Sequence, residues 1–259
     1  MLKKTVEDQI IIACLSDQKT NAVTRKTLEQ LADLIAEVNQ DAGIKGLILT
    51  GEGRFFSSGF SLPMFVDFAD REAVVSFFTK EEQVLLDYFT CSKPVVSAIN
   101  GHCAAMGLIL AMASDYRLVK NHPKIKLGMS EIKIGLGLTI AQTAVMRFGL
   151  DSDKRFRDVM YFGEMMDVKQ AMEQEMVDEL VDEDQLISRA KQIISLWIDT
   201  PNQPFVQLKK SLKSDTAQKI AQDLATRNWQ DSMCNALLNR EVKATLAFVQ
   251  AAMDKKTAS

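Results

Sequence analysis

The sequence is poor in the residues that usually hold metals or form disulfides. It has two histidines and four cysteines in 259 residues, and no two cysteines stand in a CxxC pair. Neither a zinc site nor a disulfide framework is therefore expected. The four thiols are scattered along the chain, at Cys14, Cys91, Cys103 and Cys234. This distribution fits a reducing compartment best.

Long apolar runs are also missing. No stretch approaches the roughly 20 apolar residues of a membrane-spanning helix. Near the N-terminus, Glu7 and Asp8 precede Ile10–Leu15, and this segment is too short for the apolar region of a signal peptide. We therefore expect a cytoplasmic protein with no membrane partner.

An excess of positive charge is absent as well. The 31 Lys and Arg residues are interspersed with 34 Asp and Glu residues, for a formal net charge of −3. A nucleic-acid-binding surface needs a basic patch, so nucleic acid is not an expected partner. With 47% hydrophobic residues, the chain can form one substantial core with a smaller appendage.

Two common catalytic motifs are missing. The turn GEG at residues 51–53 is not followed by GK[ST] and matches no dinucleotide-binding fingerprint, which disfavours a phosphate loop. No GxSxG elbow occurs, so a serine hydrolase is poorly supported too.

The N-terminal part of the chain has the pattern of a βαβ unit. Ile10–Leu15 reads as a strand, Thr24 as a helix N-cap, and residues 46–50 as a second buried strand. A parallel sheet is therefore expected. The helix between the strands carries apolar residues at helical spacing, namely Leu28, Leu31, Ile35 and Val38.

Residues 93–137 contain the strongest chemical signal. The run VVSAI at residues 95–99 predicts a buried strand that ends at Asn100-Gly101, and an apolar helix follows from Gly107. The first N–H groups of that helix point back at the turn, where they can hold a negative charge. Further on, Glu131 stands among apolar residues. Such a carboxylate is either paired or used in chemistry, although a surface or N-cap role is the alternative.

Four segments in this order are similar to the crotonase (enoyl-CoA hydratase/isomerase) superfamily. They are GRFFSSGFSL at 53–62, SAINGHCAAMG at 97–107, SDYRLV at 114–119 and GMSEIKIGLG at 128–137. The likeness covers about residues 5–255, and the spacing resembles the mitochondrial-type Δ3,Δ2-enoyl-CoA isomerases more than the hydratases.

The resemblance implies an α/β crotonase-like fold of repeated ββα units followed by a C-terminal helical region. It implies a core domain at 1–185 and a helical trimerisation region at 186–259. The expected partners are an acyl-CoA substrate and further copies of the chain, as a homotrimer or a hexamer. No separate cofactor is expected, because coenzyme A is part of the substrate.

The resemblance also implies an oxyanion hole, formed by the backbone N–H groups of Phe60 and Met106. Family members usually have Gly at the position of Met106 and often Asp at that of Ser61. Glu131 matches a catalytic glutamate. The expected substrate-binding residues are Ser58, Gly59, Phe60, Leu62, Gly107, Ile109 and Phe248.

Ile109 stands where the hydratases have their second glutamate. Addition of water needs a group that holds and deprotonates that water, whereas migration of a double bond needs one base. The sequence therefore favours an isomerase. The alternatives are hydration or decarboxylation by the same fold, and an acyl-CoA-binding oligomer without catalysis.

Several other segments are expected to be structural. We expect residues 63–91 to form a helical wall on the sheet, His102 and Cys103 to pack without a catalytic role, and residues 115–117 to anchor a strand. In the C-terminal region, we expect one apolar helical face at Ile193, Ile194, Leu196 and Trp197.

Overall fold

The computed structural model describes residues 1–17 and 19–258, with side chains to residue 255. The first part of the chain contains β1 (Leu2–Glu7), β2 (Ile10–Leu15), α1 (Arg25–Gln40), β3 (Gly46–Gly51), β4 (Phe55–Ser57), α2 (Leu62–Val66) and α3 (Arg71–Phe89). The central part contains β5 (Val95–Ile99), β6 (His102–Ala104), α4 (Met106–Ala113), β7 (Tyr116–Lys120), β8 (Leu127–Gly128), a 3-10 turn (Glu131–Ile134) and α5 (Ile140–Leu150).

The remaining elements are mainly helical. They are α6 (Asp153–Phe162), β9 (Met165–Met166), α7 (Val168–Glu173), β10 (Glu179–Val181), a 3-10 turn (Glu183–Gln185), α8 (Leu186–Ile198), α9 (Pro204–Thr226), α10 (Gln230–Leu237) and α11 (Arg240–Ala258). The predicted C-terminal helical region is thus confirmed.

The strands form two sheets. A six-stranded sheet has the order β1-β2-β3-β5-β7-β10, and a four-stranded sheet has the order β4-β6-β8-β9. All pairs are parallel except β1 with β2 and β8 with β9. From β3 to β8, consecutive strands alternate between the sheets, and the pairs β3-β4, β5-β6 and β7-β8 each lead into helices. This arrangement confirms the repeated ββα units.

The first βαβ unit forms as the sequence predicts. The Thr24 hydroxyl accepts a hydrogen bond from the Thr27 N–H at 3.2 Å and caps α1. The apolar positions of that helix are buried in the same core cluster as Ile11 of β2 and Leu47 of β3. The cap and the apolar spacing are both local signals, which explains why they suffice here.

The larger sheet has apolar side chains on both faces, because successive residues of a strand point to opposite sides. Ile11 and Leu47 belong to the main core, whereas Ile10 and Ile48 belong to a second cluster covered by α8. In α8, Ile193 and Ile194 are buried as expected. The expectation for Leu196 is wrong, since its side chain is 71% exposed. The buried face of α8 is centred on Ala190 and Ile194, which leaves Leu196 on the far side.

Two predicted structural segments behave as expected. Residues 63–91 lie in α2 and α3, and their aromatic side chains are largely buried. The Asp115 carboxylate accepts a hydrogen bond from the Val95 N–H at 2.8 Å, and Arg117 pairs with Asp178 at 2.7 Å. Between residues 1–17 and 19–258, no helix combines the length and apolar character needed to cross a membrane.

Candidate active site

A cavity of about 220 Å³ lies among the loops that follow β4 and β6, the 3-10 turn after β8, and helices α2, α4, α5 and α11. The carboxyl-terminal sides of the short strands thus face one enclosed space. Six of the predicted site residues line it, namely Ser58, Phe60, Leu62, Met106, Ile109 and Glu131.

The amide of Phe60 is oriented by an isolated strand contact with Val23. The Val23 N–H donates to the Gly59 carbonyl at 2.7 Å, and the Ser61 N–H donates to the Val23 carbonyl at 3.1 Å. Backbone groups alternate in extended chain, so the Phe60 N–H points away from Val23. It is therefore free to bind a ligand oxygen.

The amide of Met106 is free for a different reason. Met106 is the first residue of α4, so its N–H has no acceptor within the helix. The preceding Ala105 has φ of 53° and donates its N–H to the Gly128 carbonyl at 3.1 Å, which fixes the start of the helix. The positive end of the α4 dipole adds to the attraction for an anion here.

Gly59 allows the two loops to touch. Its φ is +94°, and a Cβ on this residue would lie 2.4 Å from the Ala105 Cβ and 3.2 Å from the Met106 nitrogen. A side chain has no room, so the Phe60 and Met106 amides come from loops in direct contact. Gly107 has a similar packing role, because a Cβ there would lie 2.7 Å from the Ser57 Cβ.

Glu131 supplies a carboxyl group to the same cavity. The residue is half-buried, and its Oε2 is buried without a hydrogen-bond partner in the described chain. Burial raises the pKa of this carboxyl to about 7, although the N–H groups of Glu131 and Ser130 oppose the shift. A carboxyl with one unpaired oxygen and a pKa near neutrality can both take and return a proton.

The side chain of Phe60 has a role that the sequence did not indicate. Its ring packs on Phe65 and Phe77 at 5.3 and 5.5 Å between centroids. These rings belong to α2 and α3, so the predicted helical wall holds the loop of Phe60 in place. Phe65 and Phe77 lie 5 and 17 positions after Phe60, and this spacing gave no signal of which loop they would contact.

The structure places Phe248 apart from the other predicted residues. Its side chain is 74% exposed, and α11 instead presents Val249, Gln250 and Met253 to the cavity. The resemblance to the family implied Phe248 at the substrate site, but in this chain the adjacent Val249 faces the cavity instead.

His102 and Cys103 pack as expected. The His102 ring lies 5.0 Å from that of Phe55, and its Nδ1 accepts a hydrogen bond from the Lys126 N–H at 3.1 Å. Cys103 is fully buried, and burial raises the pKa of its thiol. Neither residue lines the cavity. In the described ranges 1–17 and 19–258, no three potential metal-ligating side chains cluster.

Comparison with known proteins agrees with this architecture. The model of the family described as enoyl-CoA hydratase/isomerase matches residues 5–252. Enoyl-CoA delta isomerase 1, mitochondrial, of Mus musculus is 25% identical over 216 residues, which cover 82% of this chain and 73% of that protein. A probable enoyl-CoA hydratase of Bacillus subtilis (strain 168) is 26% identical over 211 residues, which cover 81% of each chain.

Among solved structures, human mitochondrial delta3-delta2-enoyl-CoA isomerase superposes with a TM-score of 0.89 at 18% identity, covering 98% of both chains. The two sheets, the ββα units and the C-terminal helices are thus those of the crotonase fold, as expected. The chain belongs to the enoyl-CoA hydratase/isomerase family.

Proposed function

We propose that this protein is a Δ3,Δ2-enoyl-CoA isomerase. The observation that carries the proposal is the composition of the cavity wall. Among the described residues that line the cavity, Glu131 is the one acid or base. A reaction that needs a single proton-transfer group fits this wall, whereas a reaction that needs two does not.

The reaction begins with proton abstraction. Glu131 removes a proton from C2 of a 3-enoyl thioester, and the electrons move onto the thioester oxygen as an enolate. The N–H groups of Phe60 and Met106 stabilise that oxyanion, and each such donor contributes about 3 kcal/mol to lowering the barrier. Glu131 then returns its proton to C4, which gives the conjugated 2-enoyl thioester. The carboxylate is regenerated, so the proton balance closes.

The pKa of Glu131 suits both halves of this cycle. A base with a pKa of about 7 is about half ionised at neutral pH, and its protonated form remains acidic enough to donate to C4. Because Oε2 has no partner in the described chain, this oxygen can take a proton without first breaking a hydrogen bond.

Ile109 argues against hydration. Its side chain is 1% exposed and lines the cavity one turn along α4 from Met106. An apolar group at this point neither holds nor deprotonates water, and it lowers the chance that water adds to the double bond. Names among the relatives include both hydratase and isomerase, so the assignment rests on this wall rather than on the names.

The substrate class follows from the family and from the site. An acyl-CoA ester has a thioester oxygen for the two amides and an acyl chain for the apolar side chains of α2 and α4. A binding protein without catalysis also uses the amides of Phe60 and Met106, but it has no need of the Glu131 carboxyl in the cavity.

Incubation of the purified protein with 3-hexenoyl-CoA tests the proposal. We expect formation of 2-hexenoyl-CoA, and a loss of about 10³-fold or more in kcat for Glu131→Gln, because the variant has no proton-transfer group. Ser130→Ala is the control, because it changes the neighbouring residue of the same loop and keeps Glu131.

Three outcomes separate the alternatives. If the Glu131→Gln variant still isomerises the substrate, Glu131 is not the base. Hydration of crotonyl-CoA faster than isomerisation supports a hydratase instead. Tight binding of acyl-CoA esters with turnover of none of these substrates supports a binding protein.

A further inference from the structure

Two adjacent buried carboxyl groups lie on α3, against the start of α5. Glu81 and Glu82 are 0% and 1% exposed. The Glu82 carboxylate accepts the Ile140 N–H at 2.9 Å and the Ala141 N–H at 2.7 Å, so it caps α5. Burial raises the pKa of Glu82, whereas these two donors and the helix dipole oppose the shift, so Glu82 ionises more readily than Glu81, whose pKa is raised further.

Glu81 is in a different state. Its Oε1 accepts a hydrogen bond from the Gln142 Nε2 at 3.1 Å, whereas its Oε2 is buried without a partner in the described chain. Burial, followed by the charge of Glu82, raises the pKa of Glu81 well above its ordinary value. Two such neighbouring carboxyls share one proton, which belongs on the Oε2 of Glu81.

Gln142 connects this pair to the cavity. It is 3% exposed and lines the cavity beside Phe78, Ile109 and Leu136, which are all apolar. Its Oε1 accepts the Thr139 N–H at 3.2 Å while its Nε2 donates to Glu81. Both contacts break if the amide flips, so its orientation is fixed.

The fixed amide of Gln142 has one N–H hydrogen that these two contacts do not use. The NH₂ group has two donors, and Glu81 takes one of them. The wall built from α3, α4 and α5 therefore offers a donor among apolar side chains. Gln142 lines the same cavity as Met106 and Ile109.

We propose that Gln142, held by Glu81, determines substrate specificity by recognising a neutral oxygen on the acyl chain, such as a keto or hydroxyl group. The inference rests on the proposed function, since it takes the cavity to hold the acyl chain of a thioester. A carboxylate is disfavoured in the same place, because it comes close to the buried negative charge of Glu82.

Calorimetric binding of saturated thioesters tests this without any turnover. The ligands are octanoyl-CoA, its monoketo isomers with the oxygen at C4 to C7, and suberyl-CoA, which ends in a carboxylate. We expect wild type to bind at least one keto isomer about tenfold more tightly than octanoyl-CoA, and suberyl-CoA more weakly.

Gln142→Met keeps the volume of the side chain and removes its donors, so the tenfold preference is expected to disappear. If circular dichroism shows that Gln142→Met is unfolded, Gln142→Asn serves the same purpose, because its shorter side chain withdraws the amide from the wall. Gln83→Met is the matched control, because Gln83 lies on the exposed face of α3 and binds only Asp87 in the described chain.

Equal affinity for octanoyl-CoA and every keto isomer in wild type overturns the inference, as does a preference that survives Gln142→Met. The proposed isomerase reaction is independent of these ratios. Loss of isomerase activity in the kinetic test with an intact keto preference overturns only the reaction, whereas absence of binding by all the thioesters overturns both.

Discussion

Glu131 combines two properties that rarely occur together in a carboxyl group, namely access to a cavity and burial of one oxygen without a partner. The second property is the physical origin of its raised pKa, since water and hydrogen-bond donors that favour the charged form are few. The residue is therefore suited to act as a base near neutral pH.

The pH dependence of the reaction follows from this pKa. The base must be ionised to abstract a proton, and its pKa in the folded protein is about 7. We expect kcat/KM for 3-hexenoyl-CoA to fall about tenfold per pH unit below that value and to level off above it.

Steady-state rates between about pH 5.5 and 8.5 measure this profile. Circular dichroism at the lowest pH is the control, because it shows that lost activity is not unfolding. A profile that is flat down to about pH 5.5 contradicts the assignment, since it indicates a carboxyl with an ordinary pKa.

Gly59 determines whether the two amides come together. Gly59→Ala introduces a Cβ 2.4 Å from that of Ala105 at a φ of +94°, so one loop has to move. We expect kcat/KM to fall about 100-fold or more, because one oxyanion donor is displaced. Kinetics with 3-hexenoyl-CoA measure the loss.

Gly53→Ala is the matched control for that substitution. Gly53 also has a positive φ, of +69°, but no atom lies within 4 Å of an added Cβ. The Gly53→Ala variant therefore introduces backbone strain but no collision of the added Cβ, and we expect its activity to equal that of wild type. Normal activity in Gly59→Ala contradicts the role of loop contact.

The grouping of Phe60, Met106 and Glu131 could be predicted because it depends largely on backbone conformation, and the glycines and the start of α4 are recognisable in the sequence. All three residues line one cavity, whereas their roles in an oxyanion site stay a prediction. The direction in which a side chain points could not be predicted from the sequence in this way. Phe248 was chosen on α11, and the structure turns its neighbours Val249 and Gln250 inward instead.

At the scale of elements, α5 depends on a carboxylate from another helix. Glu82 accepts the first two N–H groups of α5, at 2.9 and 2.7 Å, from a distance of 58 residues along the chain. The start of α5 contributes Gln142 to the cavity wall, so this cap also shapes the site.

Loss of the cap is expected to be costly. Glu82→Ala leaves two buried helix N–H groups without acceptors, and we expect the free energy of unfolding to fall by about 2–4 kcal/mol. Glu82→Gln keeps one carbonyl oxygen and should lose about half as much. Urea denaturation followed by circular dichroism measures both.

Gln83→Ala provides the comparison on the same helix, since this side chain is exposed and its change is expected to stay within about 0.5 kcal/mol. If Glu82→Ala is as stable as Gln83→Ala, the carboxylate is not the cap of α5.

Glu81, Glu82 and Gln142 were not found from the sequence, and the reason is physical. An acid at helical spacing on α3 indicates a solvated face, and only the packing of α3 on α5 turns that face inward. By contrast, β2, β3, β5, α1 and the C-terminal helices were predictable because their apolar pattern is local.

At the scale of the whole molecule, a buried cluster attaches the C-terminal helices to the larger sheet. Asp115 precedes β7 and contacts Lys209 at 2.6 Å and Lys213 at 2.8 Å, both from α9. All three side chains are at most 6% exposed. Burial, partly opposed by Asp115, lowers the pKa of Lys213 to about 8.

Removal of this charge should loosen the attachment of α9. Asp115→Asn leaves two buried ammonium groups without a counter-charge, and we expect the free energy of unfolding to fall by about 3–5 kcal/mol. Guanidinium denaturation measures it. Glu52→Gln is the control, because its pair with Lys3 is exposed and should have a far smaller effect.

A comparable loss in both variants contradicts the assignment of Asp115 as the link between α9 and the sheet. Equal stability of Asp115→Asn and wild type contradicts it as well, since buried unpaired ammonium groups cost free energy.

The Lys243 ammonium group, on α11, donates to the carbonyls of Val66 at 3.0 Å and Phe68 at 2.6 Å. This contact seats α11 on α2, and both helices form walls of the cavity. During synthesis on the ribosome, a nascent chain shorter than 240 residues therefore carries Glu131 and the loops of Phe60 and Met106 without this wall. The cavity is completed on this side only after α11 has been synthesised and has docked on α2.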